Sequence, residues 1–267
     1  MSSLVKFYNA QLRVEVALKM QYRVATLLNM LQMAVEPVIY MVVWRTVALA
    51  QGGAVGDFTP SALATYYIIF TFMRQFVAAT GLWLFEWRIR EGHMSTLLLR
   101  PLHPIHADIA ENISYKLFSS LALVPVLLVM ALAFEAQFTA PWWLWLLFAL
   151  AACLGAAIRF IAQYALAMIG FWTTRLDAIW QMYSIAQTFF GGTLAPLALL
   201  PAPLLFIASL LPFRWILAFP IELAMGRLSS EVILGGFVAQ MLWIIGLTLL
   251  MIVGWRVAVE RYGAVGG

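Results

Sequence analysis

The chain has 267 residues, of which 64% are hydrophobic and only 10% charged, and its mean hydropathy is +0.92. A soluble domain of this size carries about 25% charged residues, so this sequence cannot cover a water-facing surface and needs lipid around it. The formal charge of +4 comes largely from arginines at the ends of apolar runs, and no Lys/Arg tract interleaved with exposed aromatics points to nucleic acid.

Residues 1–23 begin as an amphipathic helix, with Leu4, Val5, Tyr8 and Leu12 on one face and Lys6, Asn9 and Arg13 on the other. A helix lying in the membrane interface is the natural reading; a plain extension of the first span is the alternative. Lys6, Arg13, Glu15, Lys19 and Arg23 interrupt the apolar residues, so the segment does not read as a signal peptide.

Six apolar stretches follow, at 24–49, 62–85, 113–134, 142–171, 176–200 and 231–255. Each is near or above the roughly 20 residues that cross about 30 Å of hydrocarbon. The fourth is too long for one upright span and is expected to tilt or run out beyond the bilayer. Between the fifth and sixth, residues 191–227 hold Pro196, Pro201, Pro203, Pro212 and Pro220. That segment is too broken for a clean span and too apolar for a solvated loop, which predicts short re-entrant or interfacial helices. A seventh span near 204–217 is the competing reading.

Basic residues orient the chain. Lys6, Arg13, Lys19 and Arg23 precede the first span, and Arg88, Arg90, Arg100 and Lys116 lie between the second and third. Arg175 lies between the fourth and fifth, and Arg256 and Arg261 follow the sixth; the loops at 50–61 and 135–141 have no Lys or Arg. Both termini are therefore expected in the cytoplasm. Tyr66-Tyr67 and Trp142-Trp143 begin spans, where interfacial aromatics belong. The expected fold is all-α: an interface helix over 1–23 and one six-helix transmembrane domain over 24–267.

Catalytic chemistry is missing from this pattern. No Ser/His pair, paired aspartates or HExxH lies in the spans, and there is no GxxxxGK[ST] loop to cradle ATP. The lone Cys153 excludes an intrachain disulfide and has no metal-ligand spacing around it. His93, His103 and His106 share one cytoplasmic loop; His103 and His106 with Asp108 offer a weak metal reading, against the plainer one of a solvated polar loop.

Charges within the spans carry more information, since each is costly in hydrocarbon. Glu36 in the first span and Arg74 in the second fall at similar depth, which predicts that they pair or face one polar cavity. Pro37 should kink the first span beside Glu36. Arg159 in the fourth span is a third intramembrane charge. A structural pair and a place on a translocation path both stand open for these three. Trp180, Tyr183, Phe189 and Phe190 would suit a hydrophobic path, with helix packing or lipid contact as the plainer account.

The most distinctive cytoplasmic segment is 86–104. It starts charged, breaks at Gly92, continues as a short run over 94–99, and closes at Arg100-Pro101, where the residue before proline leaves the α region. A short amphipathic helix with leucines and arginines at its ends suits a surface that docks a cytoplasmic partner.

Taken together, these features resemble a type-2 ATP-binding-cassette (ABC) exporter permease along nearly the whole chain. Residues 90–104, REGHMSTLLLRPLHP, resemble the coupling region of that family. Gly191-Gly192 with Pro196, Leu211-Pro212 and Pro220-Ile221-Glu222 resemble its extracellular signature. The resemblance implies an interface helix, a cytoplasmic coupling helix and a re-entrant hairpin before the last span. It also implies two permease subunits around a central path, each docked on a separate ATPase that binds the ATP and Mg; the chain itself would need no cofactor. On that analogy Glu86, Arg88, Arg90, Glu91, Gly92, Leu98, Arg100, Pro101 and Leu102 sit at the ATPase contact.

The expected function is export of a hydrophobic or amphipathic compound, drug-like or lipid, across a bacterial cytoplasmic membrane. Small permeases of this kind encoded as two different partners, some associated with cationic or hydrophobic toxic compounds, are the nearest subgroup; homodimer and heterodimer both stand. The net positive charge of Glu36, Arg74 and Arg159 leans instead toward an anionic group. The runner-up is a substrate-binding membrane subunit of an uptake system, such as a vitamin transporter, for which the span residues are sparsely polar.

Overall fold

In lipid every backbone N–H and C=O must find its partner within its own segment, and the long apolar runs accordingly fold as helices. The computed structural model describes residues 2–21, 23–79, 81–173 and 175–265; residues 1 and 22 of the expected interface helix lie outside them. Among the described residues there are eleven α-helices and no strand beyond an isolated bridge between Val55 and Phe58.

Helix α1 (Ser2–Gln21) is followed by α2 (Arg23–Ala50), which runs unbroken through Pro37. α1 packs mainly along α6 (Ile105–Ala133), where the Tyr8 hydroxyl meets His106 Nδ1 at 2.9 Å. α6 begins several residues before the expected span. α7 (Trp142–Ala167) continues as a 3-10 turn over Met168–Phe171, and α11 (Ser230–Val265) closes the chain. α6, α7 with its 3-10 turn, and α11 are each long and apolar enough to cross a membrane. Their outer faces carry leucines such as Leu121, Leu132 and Leu234, all exposed as lipid-facing positions are. The protein is an all-α, multi-pass membrane protein.

Two of the six expected spans take a different form. The stretch 62–85 is two helices, α3 (Pro60–Phe76) and α4 (Gly81–Arg90). α3 starts at Thr59, whose side chain accepts from Ala62 N–H at 3.2 Å, with Pro60 in the first turn. It ends where the backbone leaves the helix after Val77. The Lys116 ammonium donates to the freed Ala78 carbonyl at 2.7 Å and also to Asn112 Oδ1. Lys116, expected in a cytoplasmic loop, is thus a buried side chain of α6 that closes a backbone gap.

The fifth stretch, expected over 176–200, folds only over Asp177–Phe190 as α8. Its 14 residues span about 21 Å at 1.5 Å per residue, short of the hydrocarbon core. Gly191-Gly192 ends it, with Gly192 at φ +84°. A side chain at Gly192 would meet the Tyr66 hydroxyl at 2.4 Å, which leaves room only for glycine. Tyr66 donates to the Gly192 carbonyl at 2.7 Å, while Tyr67 and Trp44 donate to the Leu194 carbonyl at 2.9 and 2.6 Å. The turn is clasped by aromatic donors from α2 and α3.

The proline-rich segment holds a 3-10 turn (Leu197–Leu199), α9 (Ala202–Leu210), a π-helical turn (Arg214–Ala218) and α10 (Phe219–Ala224). Its two arms are bent by 86°, which excludes a straight seventh span over 204–217. Pro220 has no N–H for the Ile216 carbonyl, so the helix widens there. α7 approaches this turn through Gly155, where a Cβ would lie 2.7 Å from the Ile216 oxygen. Gln240 on α11 donates to the carbonyls of Ala151 and Trp215, both at 2.9 Å, tying three elements together. The core centres on α3, whose Leu63, Tyr66, Tyr67, Phe70 and Met73 are fully or almost fully buried.

Candidate functional site

α4 carries the chain out of the helical body, and Gly92 at φ +73° turns it into α5 (His93–Leu98). Only a residue tolerant of the left-handed region fits this turn. α5 ends two residues before Arg100, and α6 starts at Ile105. Met94 plugs α5 into a buried cluster of Phe85, Tyr164, Met168, Leu176 and Ala258. This short helix is anchored chiefly by Met94, in a cluster drawn from α4, α7 and α11.

The charged residues of this segment divide into two sets. Arg90, Glu91, Gly92, Arg100 and Pro101 are exposed, as is Leu99, at 87%. Leu98 and Leu102 are half-buried, Leu98 packing onto the Met94 cluster. Arg88 turns inward instead. Its Nη1 lies 2.6 Å from Asp108 Oδ1, and the two side chains are only 12% and 11% exposed. The expected surface position of Arg88 is therefore corrected: it holds α4 to α6. Glu86 is also mostly enclosed, 3.8 Å from Arg90 and accepting from the Leu176 N–H at 3.4 Å. A carboxylate there caps the start of α8 and complements its dipole.

The histidines do not converge. His106 faces Tyr8, while His103 Nδ1 accepts from the Ile105 N–H at 3.1 Å and its ring lies 4.3 Å from Trp255 on α11. Partial burial pushes the His103 imidazole below its usual range, and the neighbouring His106 adds to the effect. Asp108 is committed to Arg88. No three metal-ligating side chains gather among the described residues.

Between α2 and α3, Arg74 Nη1 lies 2.5 Å from Glu36 Oε2, so the structure brings these two together. Arg159 stands apart: its Nε and Nη1 are buried with no hydrogen-bond partner among the described residues. Gln163, one turn on, has both polar side-chain atoms in the same condition, as does the Tyr183 hydroxyl. A second internal pair, Arg214 and Glu222 at 3.7 Å, joins the π-helical turn to α10.

A groove of about 660 Å³ opens between α7, α8, the 211–213 linker and α11. Leu166, Ile169, Tyr183, Phe213, Leu247 and Gly254 are among its walls, which are almost wholly apolar. Of the four aromatics on α8, Tyr183 is buried in this wall; Trp180 stacks on it, and Trp180 and Phe189 are largely exposed. Leu166, Met168 and Ile179 belong both to the groove wall and to the cluster that receives Met94. The cluster that seats α5 and the groove therefore share side chains.

Sequence reasoning missed this shared wall and the buried amide of Gln163. The only signal for Gln163 was an amide four residues after Arg159 in an otherwise apolar run. Asp108 as the partner of Arg88 was equally hidden, since a pair across two helices leaves no spacing to read.

Comparison with curated proteins gives no match. A protein-family model described as ABC-2 family transporter protein matches residues 34–266, which takes in α3 to α11 and most of α2. The chain belongs to the ABC-2 transporter family and is the membrane-embedded permease subunit of an ABC transporter.

Proposed function

We propose that this permease exports a hydrophobic or amphipathic compound, drug-like or lipid, across a bacterial cytoplasmic membrane. In this reading it has six membrane-crossing segments, counting α3 with α4 and the short α8, and both termini face the cytoplasm. A separate ATPase binds ATP and Mg, and docks on Arg90, Glu91, Leu99, Arg100 and Pro101. A second permease, identical or paralogous, completes the path.

One observation carries the reading: the groove wall and the Met94 socket share Leu166, Met168 and Ile179. A displacement of α5 by the ATPase reaches the groove through packed side chains, since interiors at crystal-like density transmit strain. The groove suits an apolar body rather than the several polar contacts of a vitamin-sized ligand, which disfavours the uptake-subunit alternative. The experiment is transport into inside-out vesicles holding the permease with its ATPase and an amphipathic fluorescent dye. ATP-dependent accumulation of dye is expected. Accumulation that needs no ATP, or ATP-dependent movement in the opposite direction, contradicts the proposal.

A further inference from the structure

Helix α7 and the 3-10 turn that continues it place Arg159, Ala162, Leu166 and Ile169 at spacings of three and four, one stripe on one face. Ala162, Leu166 and Ile169 line the groove, so Arg159 lies one turn beyond its end. Tyr183 and Phe213, packed with Ala162, form the wall there. Tyr183 is within electrostatic reach of Arg159. Gln163, fully buried, follows Arg159 at i+4.

Among the described residues no ion pair is seen at this guanidinium. Glu36, Asp108 and Glu222 each lie against a different arginine, namely Arg74, Arg88 and Arg214. The other cations that act on Arg159 make its position worse: Arg74 from α3 and Lys116 from α6 both repel it. Arg159 is half-buried, and a cation in the bilayer whose Nε and Nη1 have no acceptor among the described residues costs several kcal/mol. An acidic ligand group at this point removes that cost, and the idle donors of Gln163 and Tyr183 add hydrogen bonds to it. The groove itself, about 660 Å³, has the size of a small-molecule site, typically about 300–1,000 Å³.

We propose that Arg159, with Gln163 and Tyr183, forms an intramembrane site for the acidic group of an amphiphile (carboxylate, phosphate or sulfonate) whose apolar body occupies the adjoining groove. The site names a cargo class for the transport reading and rests on it for passage across the membrane, but not for binding.

Binding is measured on the full chain in phosphatidylcholine nanodiscs with dansyl-labelled undecanoic acid and, separately, its methyl ester. The acid should bind about ten- to a hundredfold tighter than the ester, the ratio that a charge-assisted hydrogen bond supplies. Arg159→Gln should erase that preference, and Leu166→Trp, which fills the groove, should weaken both ligands. The preference of the unaltered chain needs no variant, so it is decisive even if Arg159→Gln fails to fold. Exchange of the nanodisc lipid for phosphatidylglycerol separates the two sources of the acidic group. Displacement of the dye marks an anionic lipid as occupant, and no displacement marks a free amphiphile.

Equal binding of acid and ester overturns the proposal. So does an Arg159→Gln chain that keeps the preference, or one whose only change is loss of permease pairing, which would assign the guanidinium to a carboxylate of a second subunit. Those failures leave ATP-driven transport of uncharged amphiphiles standing. Failure of vesicle transport with the acid preference intact would instead remove the exporter reading alone.

Discussion

The Arg88 guanidinium and the Asp108 carboxylate meet at 2.6 Å between α4 and α6, with both side chains nearly enclosed. This contact encloses one of the arginines that the proposed docking surface would otherwise include. Removing one partner strands a buried charge, which costs about 3–5 kcal/mol, whereas replacing both by apolar residues is often neutral. Thermal unfolding in detergent should show a large loss of Tm for Arg88→Met and for Asp108→Asn, and recovery in Arg88→Met/Asp108→Leu. The double variant should also bind the ATPase as the parent does. A double variant that is stable but no longer binds would return Arg88 to the interface.

Residues that do face outward should behave in the opposite way. Leu99→Ser and Arg100→Ala touch little of the helical body, so Tm should stay within a degree or two of the parent. Losing an interface anchor costs about 1–2 kcal/mol or more, hence about tenfold in ATPase affinity. Pull-down titration against the partner ATPase reads this directly. Unchanged affinity for both variants counts against the docking surface.

The pair of Glu36 and Arg74 accounts for two of the three mid-span charges as a mutually neutralising contact. Either single neutralisation, Glu36→Gln or Arg74→Gln, leaves a lone charge in the bilayer and should destabilise by about 3 kcal/mol. The swap Glu36→Arg/Arg74→Glu should restore Tm and leave transport near the parental rate. A swapped chain that folds yet does not transport places the pair on the path instead.

Acid should loosen the hold of the loop between α5 and α6 on α11. His103 accepts the Ile105 N–H through an unprotonated Nδ1, and its folded pKa lies below the usual histidine value. With the folded pKa depressed, the unfolded chain binds more protons in the window below about pH 6.5. The stabilising contribution is thus present above that value and lost as pH falls through the folded pKa. The drop in Tm between pH 8 and pH 5 should be smaller for His103→Asn than for the parent. An identical drop in both would show that His103 is not the titrating group.

The sequence disclosed most of the helices because lipid imposes a length and an apolar composition that survive in one dimension. α2, α6, α7 and α11 lie close to the apolar stretches read from the residues. It disclosed the short helix α5 as well, since Gly92 and Pro101 punctuate that segment. The break at 77–79 was hidden because its compensation, the Lys116 ammonium on Ala78, comes from a residue 38 positions away. The shortness of α8 was hidden for a related reason. Gly191-Gly192 looks like a signature within a span until Tyr66, Tyr67 and Trp44 are seen to clasp it. Arg159 was legible as a charge, but that its Nε and Nη1 find no partner among the described residues is a property of three dimensions.

The central claim is that Met94 transmits motion of the docking segment to the groove. The decisive measurement is stimulation of ATPase activity by an amphipathic dye in the reconstituted complex, for the parent, Met94→Leu and Met94→Ala. Met94→Leu keeps the socket filled and should be stimulated like the parent. Met94→Ala opens a cavity between α5 and the cluster and should keep ATPase binding and basal hydrolysis while losing most of the stimulation. Full stimulation of a folded Met94→Ala complex would contradict the account.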